Sequence, residues 1–136
     1  MIKYTEEKTF TQDQLQELFK SVGWISAEYP QRLHKALMNS QTVLTAWDGE
    51  RLVGLARVLD DSELVAFVHY VLVHPEYQGQ KIAGNMVEYI RDKYKNYLYI
   101  EGMQEDSKNV AFYVRHGFHV MEGGTPIQIC NFSDKR

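Results

Sequence analysis

The chain has 136 residues, 44% of them hydrophobic and 24% charged, with a formal net charge of −3. That size suits one good core and is short for two, so a single domain over residues 1–136 is expected, and the charge balance excludes a disordered tail or a dedicated polyanion binder, leaving nucleic acid a poor partner. No apolar run approaches the ~20 residues of a membrane span, Met1 lacks a signal-type segment, and the lone Cys130 with five scattered histidines gives neither a disulfide nor metal-ligand spacing, so a metal-free cytoplasmic protein is expected.

Residues 2–7 alternate as a first strand and lead to Thr11-Gln12-Asp13, a helix start. Leu15, Leu18, Phe19 and Val22 recur at helical spacing and Gly23 ends that helix, after which Pro30 opens a second one carrying Leu33, Ala36 and Leu37 on one face. Residues 42–47, the turn Asp48-Gly49-Glu50 and residues 52–59 read as a hairpin, and a fourth strand is expected over about 64–73. Beyond Pro75 and Gly79, the residues Ile82, Met86, Val87, Ile90 and Tyr94 mark a long amphipathic helix. Residues 97–100 read as a fifth strand, and Ser107 as the cap of a helix holding Val110, Ala111 and Val114 that Gly117 stops. Residues 118–121 and 127–132 are expected as a closing pair of strands, where Ile127, Ile129 and Phe132 leave an edge able to pair with a second subunit. The order β, α, α, β, β, β, α, β, α, β, β contains no repeat or linker and describes an α/β sandwich on one mixed sheet.

A strand that ends at Pro75, passes through glycine and enters a helix gathers unpaired backbone N–H groups at the positive end of the helix, where a pyrophosphate can bind. Gly79, Ala83 and Gly84 are small enough to let a ligand approach the backbone, and Lys81 adds charge. Gly79 alone is explained as well by a plain connection. The nucleoside-triphosphate pattern Gly-x-x-x-x-Gly-Lys-[Ser/Thr] and the dinucleotide pattern Gly-x-Gly-x-x-Gly are both missing.

Val73, Pro75 and Gln78, followed by Ala83, resemble motif A of the GNAT superfamily of N-acetyltransferases, V-x-P-x-x-Q/R followed by Q/R-x-x-G-x-G/A. Lys81 replaces the central glycine, and a helical φ there would keep the backbone donor. The run from Asn109 to Phe118 is similar to the superfamily's N-x-x-A-x-x-F-Y-x-x-x-G-F segment in abbreviated form, with Phe112-Tyr113 and Gly117-Phe118 ungapped. The resemblance covers nearly the whole chain. It implies a GNAT-type mixed, mostly antiparallel sheet of about six to seven strands flanked by about four helices. It further implies an acetyl-CoA-dependent N-acetyltransferase that passes an acetyl group to a primary amine of a small molecule by direct attack on the thioester. The alternatives are an N-acetyltransferase of proteins or peptides and a non-catalytic acyl-CoA-binding module.

By the same resemblance, backbone groups of Gln78, Gly79, Gln80, Lys81, Ile82, Ala83 and Gly84 bind the pyrophosphate. Val71, Leu72 and Val73 pair with the pantetheine arm, where the family splays two parallel strands. The N–H of Leu72 or Val73 is the oxyanion donor, Tyr113 the acid for the departing thiolate, and Asn109 a contact to pantetheine or its phosphate end. For the base, His69, Tyr70, His74 and Glu101 are candidates, alternation placing His69 with Val71 on one face and Tyr70 with Leu72 on the other. The first two helices usually form the acceptor side in this superfamily, which singles out Trp24, Ile25, Glu28 and Tyr29, with Trp24 equally explained as a core plug. Val22-Gly23-Trp24 and Leu52-Val53-Gly54-Leu55-Ala56-Arg57 are also similar to short bacterial GNAT proteins and plant plastid arylalkylamine acetyltransferases, a hint of a small amine. A monomer or homodimer is expected.

Overall fold

Local signals start the first helix as the letters require: Thr11 Oγ1 accepts the Gln14 N–H at 3.1 Å while Gln14 Oε1 accepts the Thr11 N–H at 2.8 Å, a reciprocal capping box. The computed structural model describes residues 1–104 and 107–131. Its elements are β1 (Ile2–Thr5), α1 (Gln12–Ser21), a 3₁₀ turn (Ile25–Glu28), α2 (Pro30–Met38), β2 (Thr42–Asp48), β3 (Arg51–Asp60) and β4 (Val65–Val73). A second 3₁₀ turn (Pro75–Tyr77), α3 (Ile82–Lys93), β5 (Tyr99–Gly102), a third 3₁₀ turn (Ser107–Asn109) and α4 (Val110–Arg115) complete the order. The chain divides into two compact units, Met1–Gly102 and Met103–Arg136.

In the first unit, one open mixed sheet runs in the order β1-β2-β3-β4-β5, antiparallel throughout except for the parallel pair β4 and β5. The Gly49-Glu50 turn closes the hairpin between paired Asp48 and Arg51, with Gly49 at φ +61°. The sheet is apolar on both faces, which is why the middle of β2 and β3 reads as an unbroken buried run rather than an alternation. On one face Ile82, Met86, Ile90 and Tyr94 of α3 and its C-cap pack on Ala46, Val53, Ala56, Val68 and Val73. On the other, Leu15, Leu18 and Phe19 of α1 with Leu33 and Leu37 of α2 cover Val43, Leu55 and Leu72. Gly54 is what seats α3: a Cβ there would lie 3.1 Å from Ile82 Cγ2 and 3.2 Å from Ala46 Cβ. Buried Tyr94 keeps its hydroxyl satisfied by Thr42 at 2.6 Å and by donating to Asp60 at 2.8 Å, and burial drives its pKa far up.

In the second unit, the closing strand pair expected over 118–121 and 127–132 does not form among the described residues, where the sheet has five strands instead of six or seven. Ile127 and Ile129 are 91% and 88% exposed, so their alternation buries no face; Gly123 turns the chain at φ +88°, and Pro126 lacks a ladder donor. Phe132 lies outside the described residues. The fifth strand starts two residues later than expected because Tyr97 belongs to the turn after α3: its N–H donates to Tyr94 O at 3.0 Å and its hydroxyl to Asp60 at 3.1 Å. Ser107 opens a 3₁₀ turn, α4 proper beginning at Val110.

Candidate active site

Pairing between β4 and β5 stops at Val68 opposite Gly102, yet β4 continues to Val73. Among the described residues, the β5-side edge of β4 is therefore open over residues 69–73. Backbone groups alternate sides along a strand, and the His74 N–H donates across to Val53 O on the β3 side at 2.8 Å. Stepping back by two, the Leu72 amide also turns toward β3, while those of Val71 and Val73 turn to the open edge. Gln78 Nε2 reaches Val73 O at 3.2 Å, as that orientation requires.

Beyond β4 the connection is fastened to the hairpin turn. Tyr77 donates to Asp48 at 2.5 Å, Arg51 pairs with Glu76 at 3.2 Å and lies 5.5 Å from the Tyr77 ring, and the Glu76 N–H caps onto His74 Nδ1 at 3.1 Å. Gln78, Gly79, Gln80 and Lys81 follow, all exposed, with Gly79 at φ +86° and open space where its Cβ would be. Lys81 is the N-cap of α3 and takes φ +67°, ψ 18°, left-handed rather than helical as the sequence reading supposed. A non-glycine residue there costs roughly 1–2 kcal/mol, so the lysine holds the conformation its glycine counterpart would adopt freely. The first intrahelical bond runs from Asn85 N–H to Lys81 O at 2.9 Å, which leaves the N–H groups of Ile82, Ala83 and Gly84 as the open first turn. No acidic side chain stands in that turn. Those donors and the Lys81 charge suit a diphosphate.

The face under α1 carries the other candidates. A bulge in the β3–β4 register pairs Arg57 with Tyr70 and Val58 with Val68, so His69 is the extra residue of β4. The bulge overturns the simple alternation: His69 does not side with Val71 but lies 4.2 Å, ring to ring, from Tyr70, with Arg57 Nη1 at 2.8 Å from its Nδ1. Arginine only donates, so His69 Nδ1 accepts and Nε2 carries the ring hydrogen. Tyr70 in turn packs edge-on against Phe19 at 4.9 Å and beside Trp24 at 5.5 Å, and its hydroxyl shares a 2.7 Å hydrogen bond with Ser26. Trp24 remains 37% exposed, so it walls this face rather than plugging the core.

Trp24 is set there by the end of α1. Gly23 at φ +73° donates to Lys20 O at 3.0 Å and Trp24 N–H to Phe19 O at 3.2 Å, a Schellman closure that stacks residue 24 on residue 19. Tyr29 is the N-cap of α2 and lines a surface depression with Gln12, Pro30, Gln31 and Arg32. Glu101 lies opposite Phe67 in the parallel register, which puts it on the same face as Phe67.

In the second unit, Tyr113 sits in α4 and Asn109 directly before it, Asn109 making no side-chain cap. Gly117 at φ +96° donates to Val114 O and Phe118 N–H to Tyr113 O at 3.0 Å, so the Phe118 ring packs edge-on against Tyr113 at 5.5 Å. Burial pushes the Tyr113 pKa up, a hydrogen bond with Gln104 opposing it. Sequence reading missed Arg57 and Ser26 as members of the cluster around His69 and Tyr70; the bulge that gathers Arg57, His69 and Tyr70 leaves no mark in an apolar strand.

Among the described residues, no three or more His, Cys, Asp or Glu side chains are grouped to hold a metal, and no helix is long and apolar enough to cross a membrane. The acetyltransferase (GNAT) family profile matches residues 9–118. The uncharacterized N-acetyltransferase ycf52-like of Prochlorococcus marinus is 32% identical over 91 residues, 64% of this chain, and the match spans 50% of that relative's length. A GNAT-family acetyltransferase structure from Streptococcus pneumoniae superposes with a TM-score of 0.82 at 27% identity, covering 97% of this chain and 100% of that one. A structure from meticillin-resistant Staphylococcus aureus, described as a probable acetyltransferase, gives 0.84 at 26% identity with the same coverage, 97% and 100%.

Proposed function

The chain belongs to the GNAT family of acetyltransferases, and from that premise we propose that it transfers an acetyl group from acetyl-CoA to the primary amine of a small molecule by direct attack. The observation that carries this reading is the β4 edge left open from His69 to Val73, followed after the connection over residues 74–81 by the first turn of α3, which has no side-chain cap. An open strand edge pairs with an extended amide-bearing arm as an added strand would, and the donors beyond it suit the diphosphate at the arm's far end.

Acetyl-CoA supplies the electrophilic carbonyl and a thiolate leaving group. The residues supply the rest. Val71 and Val73 present backbone groups to the pantetheine arm, Gln78 to Gly84 hold the diphosphate, and Lys81 adds a charge. The Val73 N–H takes the oxyanion role in place of Leu72, whose amide turns toward β3. Tyr113 protonates the departing thiolate, its raised pKa keeping it protonated at neutral pH, and Asn109 contacts the arm. The acceptor nitrogen forms the new bond to the carbonyl carbon, the carbon–sulfur bond breaks, and the nitrogen gives its proton to a base. His69 is poorly placed for that role because Nδ1 already accepts from Arg57. Glu101, through water, is our choice.

The acceptor approaches on the α1 face, beside Trp24 and Tyr70, and we place the enzyme in the cytoplasm as a monomer or homodimer. A small molecule is preferred to a protein because the acceptor wall is a compact cluster of side chains from α1, the 3₁₀ turn that follows it with its N-cap Trp24, β3 and β4. The test is release of free thiol from acetyl-CoA across a panel of amines. Release that depends on amine and falls in Tyr113→Phe supports the reading; acetyl-CoA binding without release by any amine or peptide returns the chain to a binding module.

A further inference from the structure

Among the described residues, no carboxylate pairs with Arg57, a cation held in place by other contacts. Its Nε donates to Ser40 Oγ at 2.9 Å, its Nη1 to His69 Nδ1 at 2.8 Å, and its guanidinium carbon lies 5.6 Å from the Tyr70 ring centroid. Ser40 is itself held, donating to Ala36 O at 2.8 Å. The ion pairs among the described residues join Arg51 to Glu76, Arg91 to Glu88, Lys93 to Glu6 and Lys95 to Asp92, and Arg57 is in none of them. The side chain is half-buried, and burial draws its pKa down, opposed by Tyr70 and by no carboxylate among the described residues. No buried side-chain nitrogen lacks a partner among the described residues, so Nη2, which makes none of these bonds, is open to solvent. A protein that merely needed a strand residue opposite Tyr70 gains nothing from half-burying an unneutralised guanidinium.

We propose that Arg57 anchors an anionic group, a carboxylate or a phosphate, carried by the acceptor amine, with the acceptor's apolar part against Trp24 and Tyr70. The inference rests on the amine-acetylation reading above and names the class of acceptor. Two features make the site suited to it. The guanidinium fork is held on two sides and presents its remaining donors in one plane, the geometry that matches a carboxylate or phosphate bidentately. The half-exposed Trp24 and the Tyr70 ring supply the apolar wall that such polar groups need beside them.

The experiment compares kcat/KM for paired amines that differ only in the anion: L-phenylalanine with phenethylamine, and O-phosphoethanolamine with ethanolamine, with and without Arg57→Gln or Arg57→Lys. At least one anionic member is expected to exceed its neutral partner by tenfold or more, the pair concerned telling carboxylate from phosphate. Arg57→Gln should cut the anionic member at least tenfold more than the neutral one, through KM, and Arg57→Lys should restore part of the ratio. Equal use of both members by the unmodified enzyme, or an equal loss on both in Arg57→Gln, overturns the proposal. If no amine releases thiol at all, the acetyl-transfer reading is what has failed. The anion site is then read by the melting temperature of the full chain in inorganic phosphate or acetate: a rise that Arg57→Gln abolishes upholds it, and the same rise in both proteins sinks it.

Discussion

At the end of α1, Phe19 is followed four and five residues on by Gly23 and Trp24; at the end of α4, Tyr113 is followed at the same distances by Gly117 and Phe118. Both ends close with the same pair of backbone bonds, a left-handed glycine, and an aromatic ring laid edge-on against the one five residues before it. The settings differ. Leu15, Leu18 and Phe19 of α1 are wholly buried in the core under the sheet, whereas α4 has no buried residue. A local motif thus forms identically with or without burial behind it, and what burial decides is how much the fold depends on it.

The sharpest way to break that equivalence is truncation. Phe19→Ala removes a fully buried ring and should cost about 3–5 kcal/mol in denaturant unfolding, while Phe118→Ala gives up mainly a ring pair of about 0.5–1.5 kcal/mol. Equal midpoint shifts would mean that the two ends bear the fold alike. Next in size is Tyr113→Phe, which should lower kcat by about 10²-fold, as loss of a general acid does, with little change in acetyl-CoA affinity or melting. In the unmodified enzyme burial raises the Tyr113 pKa, so the acid form persists and the alkaline fall in kcat should lie above the ~10 of a free tyrosine; an earlier fall removes Tyr113 from the role. Smaller still are Gly23→Ala and Gly117→Ala, each costing about 1–2 kcal/mol of backbone strain. The first should appear in the unfolding midpoint and the second mostly in kcat, because only the latter displaces Tyr113. The smallest is Thr11→Ala, about 1 kcal/mol from the lost capping box, at the opposite end of α1 and without effect on acceptor preference.

Those helix ends were readable in the letters because each depends on residues within one turn. Gly23, Pro30 and Gly117 mark boundaries through their own backbone preferences, and Ile82, Met86 and Ile90 announce α3 by spacing. Where the outcome depended on a distant partner, reading failed. Ile127 and Ile129 alternate as well as any strand but form none, and Tyr97 looked like a strand residue although it is tied to Asp60 by its hydroxyl. His69 is the clearest case. A one-residue bulge reverses its face, and β4 offers no polar alternation by which the insertion could be seen. Arg57 stayed hidden for the same reason, since its contacts are with the distant His69, Ser40 and Tyr70 and, among the described residues, with no carboxylate.

Gly54 acts as a spacer of zero thickness beneath the start of α3. With Ile82 Cγ2 and Ala46 Cβ at 3.1 and 3.2 Å from where a methyl would stand, alanine at this position is a shim that lifts one end of the helix by a few tenths of an ångström. The amides of the first turn would rise with it while the strand edge stayed put, lengthening the span over which, on the proposed reading, diphosphate and thioester are held. One methyl group in the middle of a sheet thereby bears on the distance between that turn and the strand edge.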